Sequence, residues 1–268
     1  MISKNKFIGI DGCKDGWFCV FLGVDGDWSY RVVSEAEALG EIVGDANSVL
    51  IDIPVGLLDK GPDERSCDKA ARRLLGSKRA SSVFPAPARQ SLAASNYQEA
   101  LAINRESTGR GLSQQAWWIV PKIREIDTLL RSNASLQGVM RECHPELCFW
   151  ALNNQTAMAF NKKKEEGKQE RLAVLEQYFP QCHKLYEQAS SEFLRKQVAH
   201  DDIIDAMVCA VTAKYGYGNY TTAPEAPVCD STELAMEMVY WEGRVAESAS
   251  RNTVENNKGQ TTFSVFDN

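Results

Sequence analysis

Three segments of this 268-residue chain place carboxylates where burial is expected. Asp11 follows the apolar run FIGI, Asp52 interrupts SVLIDIPV, and Asp201, Asp202 and Asp205 lie in HDDIIDAM. A carboxylate in an apolar run is costly unless it is paired, hydrogen-bonded or held on a cation. Asp202 and Asp205 are three residues apart, so both project from one side of a helix. Acids converging from two strands and a helix repel one another unless cations sit between them. Sites rich in oxygen and poor in histidine favour Mg²⁺ or Mn²⁺ over zinc, and this chain has only three histidines. Two such ions ~4 Å apart can activate a water and stabilise the leaving oxygen in phosphoryl transfer. Each acid also has a plain structural role to set beside this. Asp11 can bond the turn after it, and Asp201 or Asp202 can cap the helix and suit its dipole. Asp52 and Asp205 fit such roles poorly.

Glu142 and Glu146 lie in RECHPEL around a strand end. Glu146 follows Pro145, where the strand stops, and can reach the same edge of the sheet; it is preferred over Glu142 as a further acid of the site. His144 reads as a structural histidine. Cys143 and Cys148 flank it without a usual zinc spacing, and no C-x-x-C pair occurs.

The elements that must position these acids follow from pattern. In KFIGIDGCKDGWFCVFLGV two apolar runs flank a turn, which predicts a strand pair. Trp28 to Val33 adds a third strand. Ser34 caps a short helix over Glu35–Val43, and Ser48–Val55 reads as a central strand buried on both faces. Three antiparallel strands, a crossover helix and a buried strand define an α/β class. A helix is predicted over Pro62–Leu75, with Gly76 as its stop. Asn96–Arg105 is a second, and a third runs to about Leu130, starting or kinking at Pro121. Residues 56–133 thus form a helical insertion between two strands. Val139–His144 is the next strand, Leu147–Leu152 begins a helix, and Lys168–Tyr178 and Ala199–Tyr215 are helical. Glu237–Trp241 is a late strand. One domain over residues 1–247 is expected, with 248–268 a polar tail lacking periodicity.

Composition narrows the class. Hydrophobic content of 44% and charged content of 25% are ordinary for a globular protein. No apolar run approaches the ~20 residues of a membrane span, so no membrane partner is expected. The start, MISKNK, lacks a signal-peptide core. Eight cysteines without such a signal suggest free thiols and a cytoplasmic location. The net charge of −6 argues against a broadly basic nucleic-acid binder, yet Lys60–Arg124 carries 12 Lys/Arg against 5 Asp/Glu. A basic segment beside an acidic site suits an enzyme acting on phosphates. Arg65, Lys69, Arg72 and Arg73 are expected to line a groove for a polyanion near the acids, with Arg89, Arg110 and Lys122 as further contacts. An ordinary solvated helical face is the competing reading.

Taken in order, IGIDGCKDGW, IDIPVG, RSCDKAARRLLG, VFPAPAR, GRGLSQQAW with PKIREID, ECHPE and HDDIIDA resemble the family catalogued as domain of unknown function 429. Its members are described as predicted nucleases with an RNase H-like fold. The resemblance implies a mixed five-stranded sheet of order 3-2-1-4-5, with Asp11 on the first strand and Asp52 on the fourth. Strands one and four are neighbours in that order, so their acids meet. Asp202 and Asp205 then resemble the closing acids of the superfamily. The glutamate that RNase H enzymes carry on their first helix has no counterpart here, since Glu35, Glu37 and Glu41 lie along an exposed-looking helix.

The sequence therefore predicts a nuclease using Mg²⁺ or Mn²⁺, with Asp11, Asp52, Asp202 and Asp205 as metal ligands and Glu146 completing the catalytic set. A non-catalytic nucleic-acid-binding protein on the same fold is the alternative. A phosphotransferase or ATPase is less favoured, because such enzymes want two cores and glycine-rich phosphate loops. Gly56 and Gly61 have P-loop spacing, but Pro62 and Asp63 replace its Lys and Ser/Thr.

Overall fold

The computed structural model describes residues 6–243. Strands β1 (Lys6–Cys13), β2 (Gly16–Gly23) and β3 (Trp28–Val33) form the antiparallel meander that the apolar runs foretell. Helix α1 (Ala36–Val43) then crosses over to β4 (Ser48–Asp52), which pairs parallel to β1. Its N-cap is Glu35, without a side-chain cap, rather than Ser34. Strand β5 (Met140–Glu142) pairs parallel to β4, so the sheet order is β3-β2-β1-β4-β5, as the resemblance implies. Although β5 is short, bonds from Val49 N–H to Val139 O and from Cys143 N–H to Ile51 O extend the pairing at both ends.

Between β4 and β5 run α2 (Ser66–Arg79), α3 (Tyr97–Thr108), α4 (Gln114–Ser132) and the single turn α5 (Ala134–Gln137). Two expectations shift here. α2 begins at Ser66, not Pro62, because Arg65 holds an extended backbone (φ −52°, ψ 135°) that lets its side chain enter the core. Gly76 does not stop it; with φ 62° it kinks the chain, and a further turn follows. Likewise α4 does not start at Pro121. Ser113 Oγ accepts from Ala116 N–H at 3.1 Å and starts the helix seven residues earlier. Pro121 is exposed, where water can satisfy the carbonyl its ring leaves unpaired.

After β5 come α6 (Pro145–Leu152), α7 (Glu165–Glu176), α8 (Cys182–Glu192) and the long α9 (His200–Gly216). The predicted late strand is β7 (Ala235–Tyr240), and it pairs with β6 (Thr221–Cys229), which pattern reading did not foresee. Pro224 and Pro227 disguise β6. Its register shifts between Ala223 and Val228, so both prolines lie in the irregular stretch between paired ends. The polar tail proposed for 248–268 lies outside the described residues.

Period-two alternation sorts the central strands into two cores. Ile8, Ile10, Val49 and Ile51 face α1 and α4. Phe7 and Leu50 face the other way, against α9 and the helices beside it. By the same parity Asp11 and Asp52 belong to the α9 face. α9 is buried on nearly every side from Ile203 to Ala213. It lies directly on β1: a Cβ at Gly9 would fall 2.1 Å from both Ala206 O and Ala210 N. Only glycine permits that approach, and the approach brings the N-terminal turns of α9 over the acid end of β1.

Candidate metal centre

Asp11 and Asp52 are direct register partners across the parallel β1–β4 pair. Asp205, two turns into α9, descends onto them from the covering helix. One carboxylate oxygen from each of the three lies within 4.8 Å of the others. Asp11 and Asp205 are buried, at 8% and 1% exposure, and Asp52 is half-buried at the end of β4. The sequence expectation for these three is thus matched by their convergence. Asp202 differs. Its Oδ2 accepts from Ala199 N–H at 2.9 Å and closes the first turn of α9, so it stands beside the cluster as a helix cap and outside the group of three.

The electrostatics are those of crowded anions. Burial raises Asp11 well above the ordinary carboxylate range, and Asp52, Asp202 and Asp205 push it further. Burial, then Asp205 and Glu146, raise Asp52 to about 7. Asp202 is also raised to about 7, by burial and then by Asp201 and Asp205. Burial raises Asp205 as well, against the pull of Lys162.

Lys162 is the charged neighbour of the cluster that sequence reasoning missed, having placed it in a charged loop. Its Nζ lies 2.5 Å from Asp205 Oδ2 and 3.7 Å from Asp201 Oδ2. Burial works against its charge, but Asp205 and Asp11 more than offset this and hold the ammonium above its usual range. The loop carrying it is anchored. Arg79 donates to Met158 O at 2.8 Å and to Phe160 O, and Glu170 accepts from Ala159 and Phe160 N–H at 2.7 and 3.0 Å. The available signal was the run KKK before a helix, which a local pattern cannot distinguish from a solvated stretch.

Glu146 is buried in the first turn of α6. Its Oε1 accepts from Arg171, whose guanidinium is itself buried, while Oε2 is buried without a hydrogen bond among the described residues. Its charge acts on both Asp52 and Asp205. Glu142 has a different function. It accepts from Val55 N–H at 2.6 Å and from Arg65 at 2.7 and 2.9 Å. The same guanidinium binds Asp68 and the carbonyls of Val55 and Gly56. Cys67, Asp68 and Glu142 form the second metal-capable group among the described residues, but Arg65 already supplies the cation there. His144 places Nε2 3.3 Å from Ser82 O, and its Nδ1 is buried without a hydrogen bond among the described residues.

The basic residues expected to line a groove are mostly engaged elsewhere. Arg65, 2% exposed, is a core cation and cannot meet a polyanion. Arg72 pairs with Glu64, and Arg89 with Asp127 and Asp230. Arg110 pairs with Glu64 at 3.0 Å. Lys122 donates to Gly16 O at 2.8 Å and sits over the Trp17 ring. Lys69, 3.4 Å from Asp63, and Arg73 are on the surface. Most of these cations are thus taken up by acids of the insertion and of the strands and turns around it.

The chemistry of the donor set suits a hard divalent cation. It offers three clustered carboxylates and no histidine or thiolate, and Glu146 Oε2, 3.8 Å from Arg79 Nε, is the further acid nearby. A family model described as Protein of unknown function (DUF429) matches residues 9–228. The chain belongs to that family. No curated protein and no solved structure matches it. The DUF429 match spans all three clustered acids, together with Glu146 and Lys162. All eight cysteines are free thiols, and no helix among the described residues is long and apolar enough to cross a membrane.

Proposed function

We propose that this DUF429 protein is a metal-dependent nuclease that hydrolyses phosphodiester bonds of nucleic acid. The observation carrying the reading is the convergence of Asp11, Asp52 and Asp205, from two strands and a helix, within 4.8 Å in a largely buried setting. Such a cluster is self-repelling, and a divalent ion is the economical remedy. Asp11, Asp52 and Asp205 would hold Mg²⁺ or Mn²⁺, which when bound supplies an activated water and neutralises charge on the leaving oxygen. Asp202 positions Asp205 by closing the first turn of α9. Glu146, whose Oε2 makes no hydrogen bond and has Arg79 Nε 3.8 Å away, is the candidate to accept a proton from the attacking water, as a general base must. Lys162 offers a fixed positive charge beside the acids, suited to a phosphate's non-bridging oxygens. The eight free thiols support a reducing, cytoplasmic setting.

The test is a cleavage assay on single- and double-stranded DNA, RNA and RNA–DNA hybrid with Mg²⁺, Mn²⁺ or EDTA. Cleavage of at least one substrate is expected with metal, and none with EDTA or in Asp52→Asn. One observation favours the non-catalytic binding reading: Lys162 already neutralises part of the cluster. Metal-independent binding with no cleavage by the wild type would select that reading instead.

A further inference from the structure

Beside the acidic cluster lies a hollow of about 100 Å³ with the opposite charge. Its wall includes Lys162, Lys163, Lys164 and Lys168 from the start of α7 and the loop before it, with Arg195 and His200 from the α8–α9 junction. Glu165 and Asp201 are the acids of this wall, and each is already engaged. Glu165 is 2.7 Å from Lys168 and Asp201 is 3.7 Å from Lys162. Lys163, Lys164 and Arg195 are exposed and make no ion pair with any described residue. Three cations that make no ion pair are thus gathered around one concavity, whose two acids are engaged by other lysines. Their summed positive potential favours an anion in it.

The hollow and the acidic cluster share a boundary. Lys162 lines the former and bonds Asp205 of the latter, and Asp201 is on the same side of α9. A molecule reaching from one to the other must present a group for metal-bound carboxylates and, next to it, an anion for lysine and arginine. A strand with successive phosphates does this. Arg195 and Lys164 supply many donors for tetrahedral oxygens. Another open hollow, around Ser48, Arg141 and Tyr220, offers one guanidinium already bonded to Glu237.

We propose that the Lys163–Lys164–Arg195 hollow binds a phosphate group next to the one presented to Asp11, Asp52 and Asp205, and so sets the path of the substrate strand. This deepens the nuclease reading and rests on it. It moves the expected polyanion contact from the α2 face to the α7–α9 junction.

The probe is a fluorescein-labelled 12-nucleotide single strand, followed by anisotropy across a salt series in EDTA. Lys163→Gln/Lys164→Gln/Arg195→Gln changes only exposed side chains, and its folding is checked by circular dichroism. The triple variant should bind at least tenfold more weakly at low salt. Its salt slope should fall by about 0.7, the contribution of one lost phosphate contact on a single strand. Lys69→Gln/Arg73→Gln should leave both quantities unchanged. A second arm measures the rise in Tm with inorganic phosphate at matched ionic strength, expected in wild type and absent in the triple variant. Equal responses of wild type and triple variant in both arms would overturn the proposal. A phosphate response lost in the triple variant, with no oligonucleotide binding by wild type, would support the phosphate site and point to a small phosphoester. In that event the nuclease reading fails, and the hollow does not.

Discussion

Replacing Asp52 with Asn removes one charge from the centre of the cluster at nearly constant shape. Asp52 is raised from 3.8 to about 7 in the fold. A carboxyl whose folded pKa is raised contributes stability that is full below its unfolded pKa and is lost as the pH rises through the folded one. For Asp52 that window runs from about pH 4 to pH 7. About three units at 1.36 kcal/mol each set a ceiling of roughly 4 kcal/mol on the loss at alkaline pH. Asn cannot ionise, so the variant escapes it. In EDTA, urea melts at pH 5.5 and 8.5 should show the variant gaining on wild type by up to about 2 kcal/mol as the pH rises, the share of the window that lies above pH 5.5. Metal works in the opposite direction. At a hundredfold excess of Mn²⁺ over Kd the wild type gains about 2.7 kcal/mol, which for a chain of this size is roughly 5–10 °C in Tm. The variant should gain only a small fraction. An Asn variant that responds to Mn²⁺ as wild type does would remove Asp52 from the site. A stability difference that does not change with pH would refute the charge-crowding argument itself.

Gly9→Val should fail more drastically, because a Cβ there meets the α9 backbone at 2.1 Å and backbone cannot step aside. A loss above ~4 kcal/mol is expected in urea melts, and a stable variant would mean α9 does not rest on β1 as described. Lys162→Met should cost about 1–2 kcal/mol in EDTA, a modest figure because its side chain is 36% exposed. Mn²⁺ should then raise the variant's Tm by more than it raises that of wild type; a smaller rise would show Lys162 assisting the metal and not standing in for it.

Much of the centre was legible from local pattern. Apolar runs mark β1 and β4 as buried strands that each end in an acid, and the family resemblance makes the two strands neighbours; their register, which puts Asp11 opposite Asp52, is seen only in the structure. The small residues of α9 and the glycine of FIGI likewise announce close packing before their contact is seen. Arg65 shows where such reading stops. Arg65, Lys69, Arg72 and Arg73 form one charged run, yet Arg65 turns inward to Glu142 while its neighbours remain outside. The partner that decides this lies on another strand, and spacing within α2 carries no information about it.

The same limit separates Asp202 from Asp205. Both leave one side of α9, but Asp202 is near enough to the helix start for Ala199 N–H to claim its carboxylate, and Asp205 is too far in. Sequence determined that acids would end two buried strands, because burial is a local property, and the family resemblance made those strands neighbours. Only the tertiary structure decided which acids remain free, and that Lys162 from a distant loop stands among them. Ion pairs join residues far apart in the chain, and a charge's partner is set by the fold that brings the two together.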